Sequence, residues 1–125
     1  MNWKFRNDLP IYSQLVEQFK QAIASGALPP GARLNSVRDL ATEAGVNPNT
    51  MQRALQELER EGLVYANRTA GRFVTEHVER IEEAKKALAA VQVRGFLEAM
   101  EKLGCNYDEI LALLAGEKEE KDADL

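Results

Sequence analysis

Within the run NTMQRALQ, residues Asn49, Gln52, Arg53 and Gln56 recur at intervals of three, four and seven, so a helix would carry them as one outward stripe. A carboxamide offers a donor and an acceptor side by side, the complement of the adenine edge in a major groove, and a guanidinium forks onto phosphate or guanine. The opposite side of the same helix is apolar, with Met51, Ala54, Leu55 and Leu58 at three- and four-residue spacing. A polar stripe on an isolated amphipathic helix is ordinarily a solvated face, so its chemistry depends on what holds it.

The residues before it supply that support. Ser36 is placed to cap a helix from Val37 to Ala44, with Asp39 at the capping-box position three residues on. Val37, Leu40, Ala41 and Ala44 form its apolar side, and Gly45 suits a left-handed stop. Asn47 then caps the second helix, Pro48 fills its first position and Gly62 ends it after about Glu61. Small Ala41, turn Gly45 and apolar Val46 and Met51 keep the spacing of a helix-turn-helix, whose second helix enters a major groove. Asn47 and Thr50 lie in that helix's first turn, where free N–H groups and the dipole favour a phosphate.

On the C-terminal side, Leu63–Ala66 and Arg72–Thr75 are short β runs around the polar loop Asn67–Gly71. A hairpin there forms a wing, whose Arg68 and Arg72 would meet the enhanced negative potential of a narrow minor groove. On the N-terminal side, Ile11, Leu15, Phe19, Ala22 and Ile23 predict a helix from Pro10 to Ser25, stopped by Gly26. Trp3 and Phe5 precede it in a short extended arm laid on the domain, and the turn-rich link GALPPGARL joins it to the helix-turn-helix.

Beyond Thr75 a long helical pattern runs to Leu103, with Ile81, Ala84, Leu88, Val91, Leu97, Met100 and Leu103 as its apolar positions. Gly104 ends it; Asn106 and Glu109 then form a capping box for a short helix with Ile110, Leu111 and Leu114 on its apolar side. Two such helices enclose no ligand chamber in one chain, but two copies of them can form a dimer core. The closing run GEKEEKDADL has little apolar content and is expected to be disordered.

Charge divides along the same line. Residues 1–75 hold nine Lys/Arg against seven Asp/Glu, net +2, whereas residues 76–125 hold seven against thirteen, net −6. The mildly basic half suits a nucleic acid and the acidic half should face elsewhere. With 125 residues, no apolar leader after Met1 and no run near the ~18 apolar residues of a membrane span, a cytoplasmic protein without membrane contact is expected. The single Cys105 leaves no internal disulfide. An enzyme is not expected: His77 with Glu76 and Glu79 does not make a metal ligand set, and the chain has no nucleophile–base pair or glycine-rich phosphate loop. No cofactor or metal is expected either.

The order of motifs resembles the winged-helix domain of the GntR family of bacterial transcription regulators. The matching stretches are Pro10-Ile11-Tyr12, Ser25-Gly26, Pro30-Gly31, LNSVRDLA, GVNPNTMQRAL, LEREGLV and GRFV, together about half the chain. NPNT followed by QRALQELEREGL, with only a short helical tail, resembles the YtrA subfamily more closely. The resemblance implies that Arg38, on the helix before the turn, reaches DNA, and that Asn47, Asn49, Thr50 and Gln52 contact it from the start of the recognition helix. Ser36 and Arg53 join that DNA-facing set, as do Arg68, Thr69 and Arg72 in the wing. Thr69 stands where the family's wing tip has glycine, which weighs against close approach of the backbone to a minor groove, and Asn35 replaces the proline of the family's LPS motif.

The sequence thus predicts a mainly α chain with a small β-hairpin: a winged helix-turn-helix at 1–75, a helical dimerisation region at 76–116 and a charged tail at 117–125. The predicted function is a sequence-specific, double-stranded DNA-binding transcription regulator, a repressor that binds a pseudo-palindromic operator as a homodimer. The resemblance implies a repressor of its own operon, often one encoding an ABC transporter; no small-molecule effector is identifiable. The alternative is a winged helix that binds a partner protein, for which binding would be insensitive to salt.

Overall fold

The computed structural model describes residues 1–124. Three helices come first: α1 (Ile11–Ser25), α2 (Val37–Ala44) and α3 (Pro48–Arg60). The hairpin β1 (Val64–Asn67) and β2 (Gly71–Val74) follows, then α4 (Val78–Lys102) and α5 (Tyr107–Ala123). By compactness the chain divides within α4 into a unit spanning Met1–Leu88 and a second from Ala89 onward.

The first unit is built around α3, against which α1 and α2 both pack. Met51, Ala54, Leu55 and Leu58 of α3 are fully buried, with Leu15 and Phe19 of α1 on one flank and Leu40 and Ala41 of α2 on the other. The caps fall where the side-chain chemistry directs. Ser36 Oγ accepts from the Asp39 N–H at 3.1 Å, and Asn47 Oδ1 from the Asn49 N–H at 2.8 Å, with Pro48 at the first helical position. Asp39 makes no return bond to Ser36, so this is a single cap rather than a capping box. Between the helices Gly45 takes φ +70°, and the Val46 N–H donates back to the Ala41 carbonyl at 3.0 Å, folding Val46 inward.

The N-terminal arm is fastened by two glutamines one turn apart on α1. Gln18 exchanges bonds with the backbone of Lys4 (3.2 and 2.7 Å), and Gln14 with that of Arg6 (2.7 and 2.9 Å), so carboxamides stand in for a neighbouring strand. Trp3 meets Phe19 edge-on at 5.0 Å and stacks on Phe5 at 6.0 Å. The packing role read from the sequence is the one observed.

In the hairpin, Val64 pairs with Val74, Tyr65 with Phe73, Ala66 with Arg72 and Asn67 with Gly71. A segment of the link, read from sequence only as turns, lies along β2 as a third edge: Leu34 N–H donates to the Arg72 carbonyl at 2.9 Å, Val74 N–H to the Ala32 carbonyl at 2.8 Å, and Arg33 stands opposite Phe73. Alternation sends Leu34, Val64 and Val74 into the core and leaves Tyr65, Phe73 and Arg33 on the other face.

Two expectations for the tail need correction. Ile81 is buried in the core cluster of the first unit and Ala84 is half-buried against it, so α4 begins as a fourth wall of the winged domain, and Ile81 is not free for a dimer seam. The charged run from Gly116, expected to be disordered, continues α5 to Ala123. Glu, Lys and Ala are strong helix formers, and Glu117 and Lys121 fall at the favourable i, i+4 spacing, so the run needs no apolar face to stay helical. At the start of α5 the capping box forms as predicted, Asn106 Oδ1 accepting from Glu109 N–H (2.9 Å) and Glu109 Oε1 from Asn106 N–H (3.1 Å).

Candidate nucleic-acid interface

With its apolar side against α1 and α2, α3 leaves Asn49, Arg53 and Gln56 exposed and Thr50 and Gln52 half-buried. The predicted stripe is therefore a real surface, fixed in direction by a rigid core. The carboxamides of Gln52 and Gln56 make no hydrogen bond with other described residues, so their donors and acceptors stay available. Arg53 is placed differently: its guanidinium lies 4.5 Å from the centre of the Tyr12 ring, a cation–π seat that steers it toward α1. Asn47 spends one oxygen on the cap, leaving its amide N–H groups free at the positive end of the α3 dipole. Ser36 and Arg38 are exposed at the start of α2, the Ser36 hydroxyl engaged in its cap. At the far end of α3, Arg60 donates to Glu57 and holds that carboxyl below the usual carboxylate range.

In the wing the sequence-predicted residues separate. Arg68 is exposed at the tip. Thr69 is committed to the turn, its N–H and hydroxyl both donating to Asn67 Oδ1 at 3.0 Å, an Asx-type turn that glycine could not complete with a side chain. Arg72 lies on the core-facing side of β2 and donates through Nε to Glu59 of α3 at 2.5 Å. It joins wing to recognition helix, its guanidinium engaged by that carboxylate where the sequence suggested a free charge; strand alternation, together with an acid on the neighbouring helix, accounts for the pairing.

Sequence reasoning missed three participants. Glu59 reads as one more charge on a helix full of them, Tyr12 as part of the first helix, and Arg33 as a turn residue; only the third β edge brings Arg33 beside the wing.

Known proteins agree with this geometry. Residues 11–74, from the start of α1 to the end of β2, match the family described as bacterial regulatory proteins, gntR family. The chain is 38% identical over 111 residues to the HTH-type transcriptional regulator YhcF of Bacillus subtilis (strain 168), covering 89% of this chain and 92% of that one. It is 38% identical over 90 residues to the HTH-type transcriptional repressor YtrA of the same organism, covering 71% and 69%. Among solved structures, a GntR family transcriptional regulator from Listeria monocytogenes superposes with a TM-score of 0.83 at 38% identity, over 90% of this chain and 98% of that one. The DNA-binding domain of AraR in complex with operator ORX1 superposes with a TM-score of 0.55 at 26% identity, over 60% of this chain and 96% of that one. A winged helix-turn-helix with an outward amide stripe, matched over its full length by that family, makes this chain a GntR-family transcription regulator with close relatives in the YtrA-like branch.

Proposed function

We propose that the protein represses transcription in the cytoplasm by binding a pseudo-palindromic operator as a homodimer, one recognition helix in each of two successive major grooves. The observation that carries this reading is the orientation of α3: its apolar side is locked in the core while Asn49, Gln52 and Gln56 face outward beside a wing tied to the same helix. Asn47, Thr50, Ser36 and Arg38 would meet phosphate at two helix N-termini, and Gln52 and Asn49 would read base edges, with A·T pairs suited to their amides. The AraR domain bound to operator supports the use of this fold on DNA, and the name of the repressor YtrA supports the direction of regulation.

Dimerisation is assigned to the second unit. Val91, Leu103, Leu111 and Leu114 are exposed there, as are Val93, Phe96 and Leu113; Leu97 and Met100 are half-buried and Ile110 is buried. So much apolar surface on two helices exceeds what a soluble monomer ordinarily leaves uncovered. Leu88 is half-buried beside α1 and α3 at the boundary of the first unit, so the proposed seam starts after it. No helix of the described residues is long and apolar enough to cross a membrane.

Footprinting on DNA upstream of the protein's own gene tests the proposal. Protection of an inverted repeat, with affinity that falls steeply as salt rises, is the expected result, whereas binding to any sequence alike would refute operator recognition.

A further inference from the structure

Arg33 is an exposed arginine with no ion pair or side-chain hydrogen bond among the described residues, and its position is unusual for a link residue. Its backbone is the third β edge of the wing, opposite Phe73. From there the side chain runs toward the tip and brings the Nε–Nη2 edge of its guanidinium up to Gly71: a Cβ built at Gly71 would stand 3.3 Å from Arg33 Nε and 3.6 Å from Nη2. Gly71 also takes φ +105°, so the absence of a side chain serves both the backbone and the seat of the guanidinium.

The two faces of the wing sheet treat their arginines oppositely. Arg72 points inward and is neutralised by Glu59 at 2.5 Å, whereas Arg33 points outward with Tyr65 and Phe73, and no acid answers it. Arg68 in the turn is likewise uncompensated, so the wing carries two free positive charges, one at its tip and one along its edge. The chain then passes from Arg33 within three residues to Ser36, the N-cap of α2, and on to exposed Arg38. Arg68, Arg33 and Arg38 therefore belong to wing tip, wing edge and α2 N-terminus in turn.

On the proposed DNA-binding reading, we propose that Arg33 is a further DNA-contacting residue, placed by Gly71 to grip a backbone phosphate at the edge of the wing. A guanidinium seated edge-on beside a glycine, with no acid on it, still has N–H groups open to solvent for a phosphate oxygen, and contact with the glycine narrows the rotamer freedom left to lose. Such a contact positions the wing and carries no base preference.

The test measures operator affinity across a salt series for the full-length protein and its Arg33→Ala and Arg33→Lys variants, with thermal unfolding of each. Loss of a charge-assisted phosphate contact should weaken Arg33→Ala about tenfold on operator and unrelated DNA alike. It should also reduce the slope of log affinity against log salt by about 0.9 per operator contact removed, with Arg33→Lys restoring most of the slope. If Arg33→Ala lowers the melting temperature but leaves the slope unchanged, the residue only packs against the wing and the proposal fails. If wild type itself shows no salt-dependent DNA binding, the functional reading fails first, which separates the two outcomes.

Discussion

At the scale of single residues, Gln52 and Arg38 would divide recognition into its two components under the proposed function. Gln52 sits in the second turn of α3 with an unengaged carboxamide, placed for a base edge; Arg38 is exposed on α2 with no acidic partner, placed for phosphate. Gln52→Ala should change preference at one base pair by about 1–3 kcal/mol, while Arg38→Ala should weaken all sequences together and flatten the salt dependence. Competition binding against operator variants with single base changes distinguishes them, and equal, sequence-independent losses would remove Gln52 from the readers. Asn47 caps α3 through its bond to the Asn49 N–H, so Asn47→Ala should cost about 1 kcal/mol in chemical denaturation in addition to any loss on DNA.

At the scale of elements, the wing and α3 behave as one body because of Arg72 and Glu59, whose side chains are only 20% and 29% exposed. Arg6 and Asp8 in the arm form a pair of similar length, 2.6 Å, but at 70% and 62% exposure. Partial desolvation should make the first coupling measurable and screening should erase the second: a double-mutant cycle on Glu59 and Arg72 is predicted to give about 1–2 kcal/mol, and one on Arg6 and Asp8 less than about 0.5 kcal/mol. Equal couplings would mean that the wing is not clamped by this pair. The contrast also shows what was legible in the sequence. Helices α1 to α3, their caps and the hairpin announce themselves through local periodicity and through Ser36, Asn47, Pro48 and the stop glycines, because each signal lies within a few residues of what it determines. The direction of Arg72 and the β edge at Arg33 depend on partners 13 and 40 residues away, Glu59 and Phe73, and no local pattern encodes them. The length of α5 was missed for the opposite reason: its last turns depend on intrinsic helix preference alone, where an apolar stripe had been the criterion.

At the scale of the whole molecule, one winged domain presents one recognition helix, and the free energy of a single half-site is modest beside competition from nonspecific DNA. Joining two copies makes the second contact intramolecular, and a two-fold axis sets the helices about 34 Å apart, or a multiple of that, to match an inverted repeat. The second unit has the surface for this and little else: Leu103 is 77% exposed, Leu113 55% and Leu111 48%, and from Ala89 onward Ile110 is the one buried hydrophobic among the described residues. The winged domain has its own core, closed by Ile81 from the start of α4, so a charge placed far down the tail should separate the copies without unfolding the reader. Leu103→Glu is predicted to sediment as a monomer at micromolar concentration and to retain the helical circular dichroism of α1 to α3. It should bind a full operator no more tightly than an isolated half-site, a loss of about a hundredfold or more. Wild type that sediments as a monomer yet binds the full operator at full affinity would overturn the assignment of the second unit to dimerisation, because one reader would then suffice.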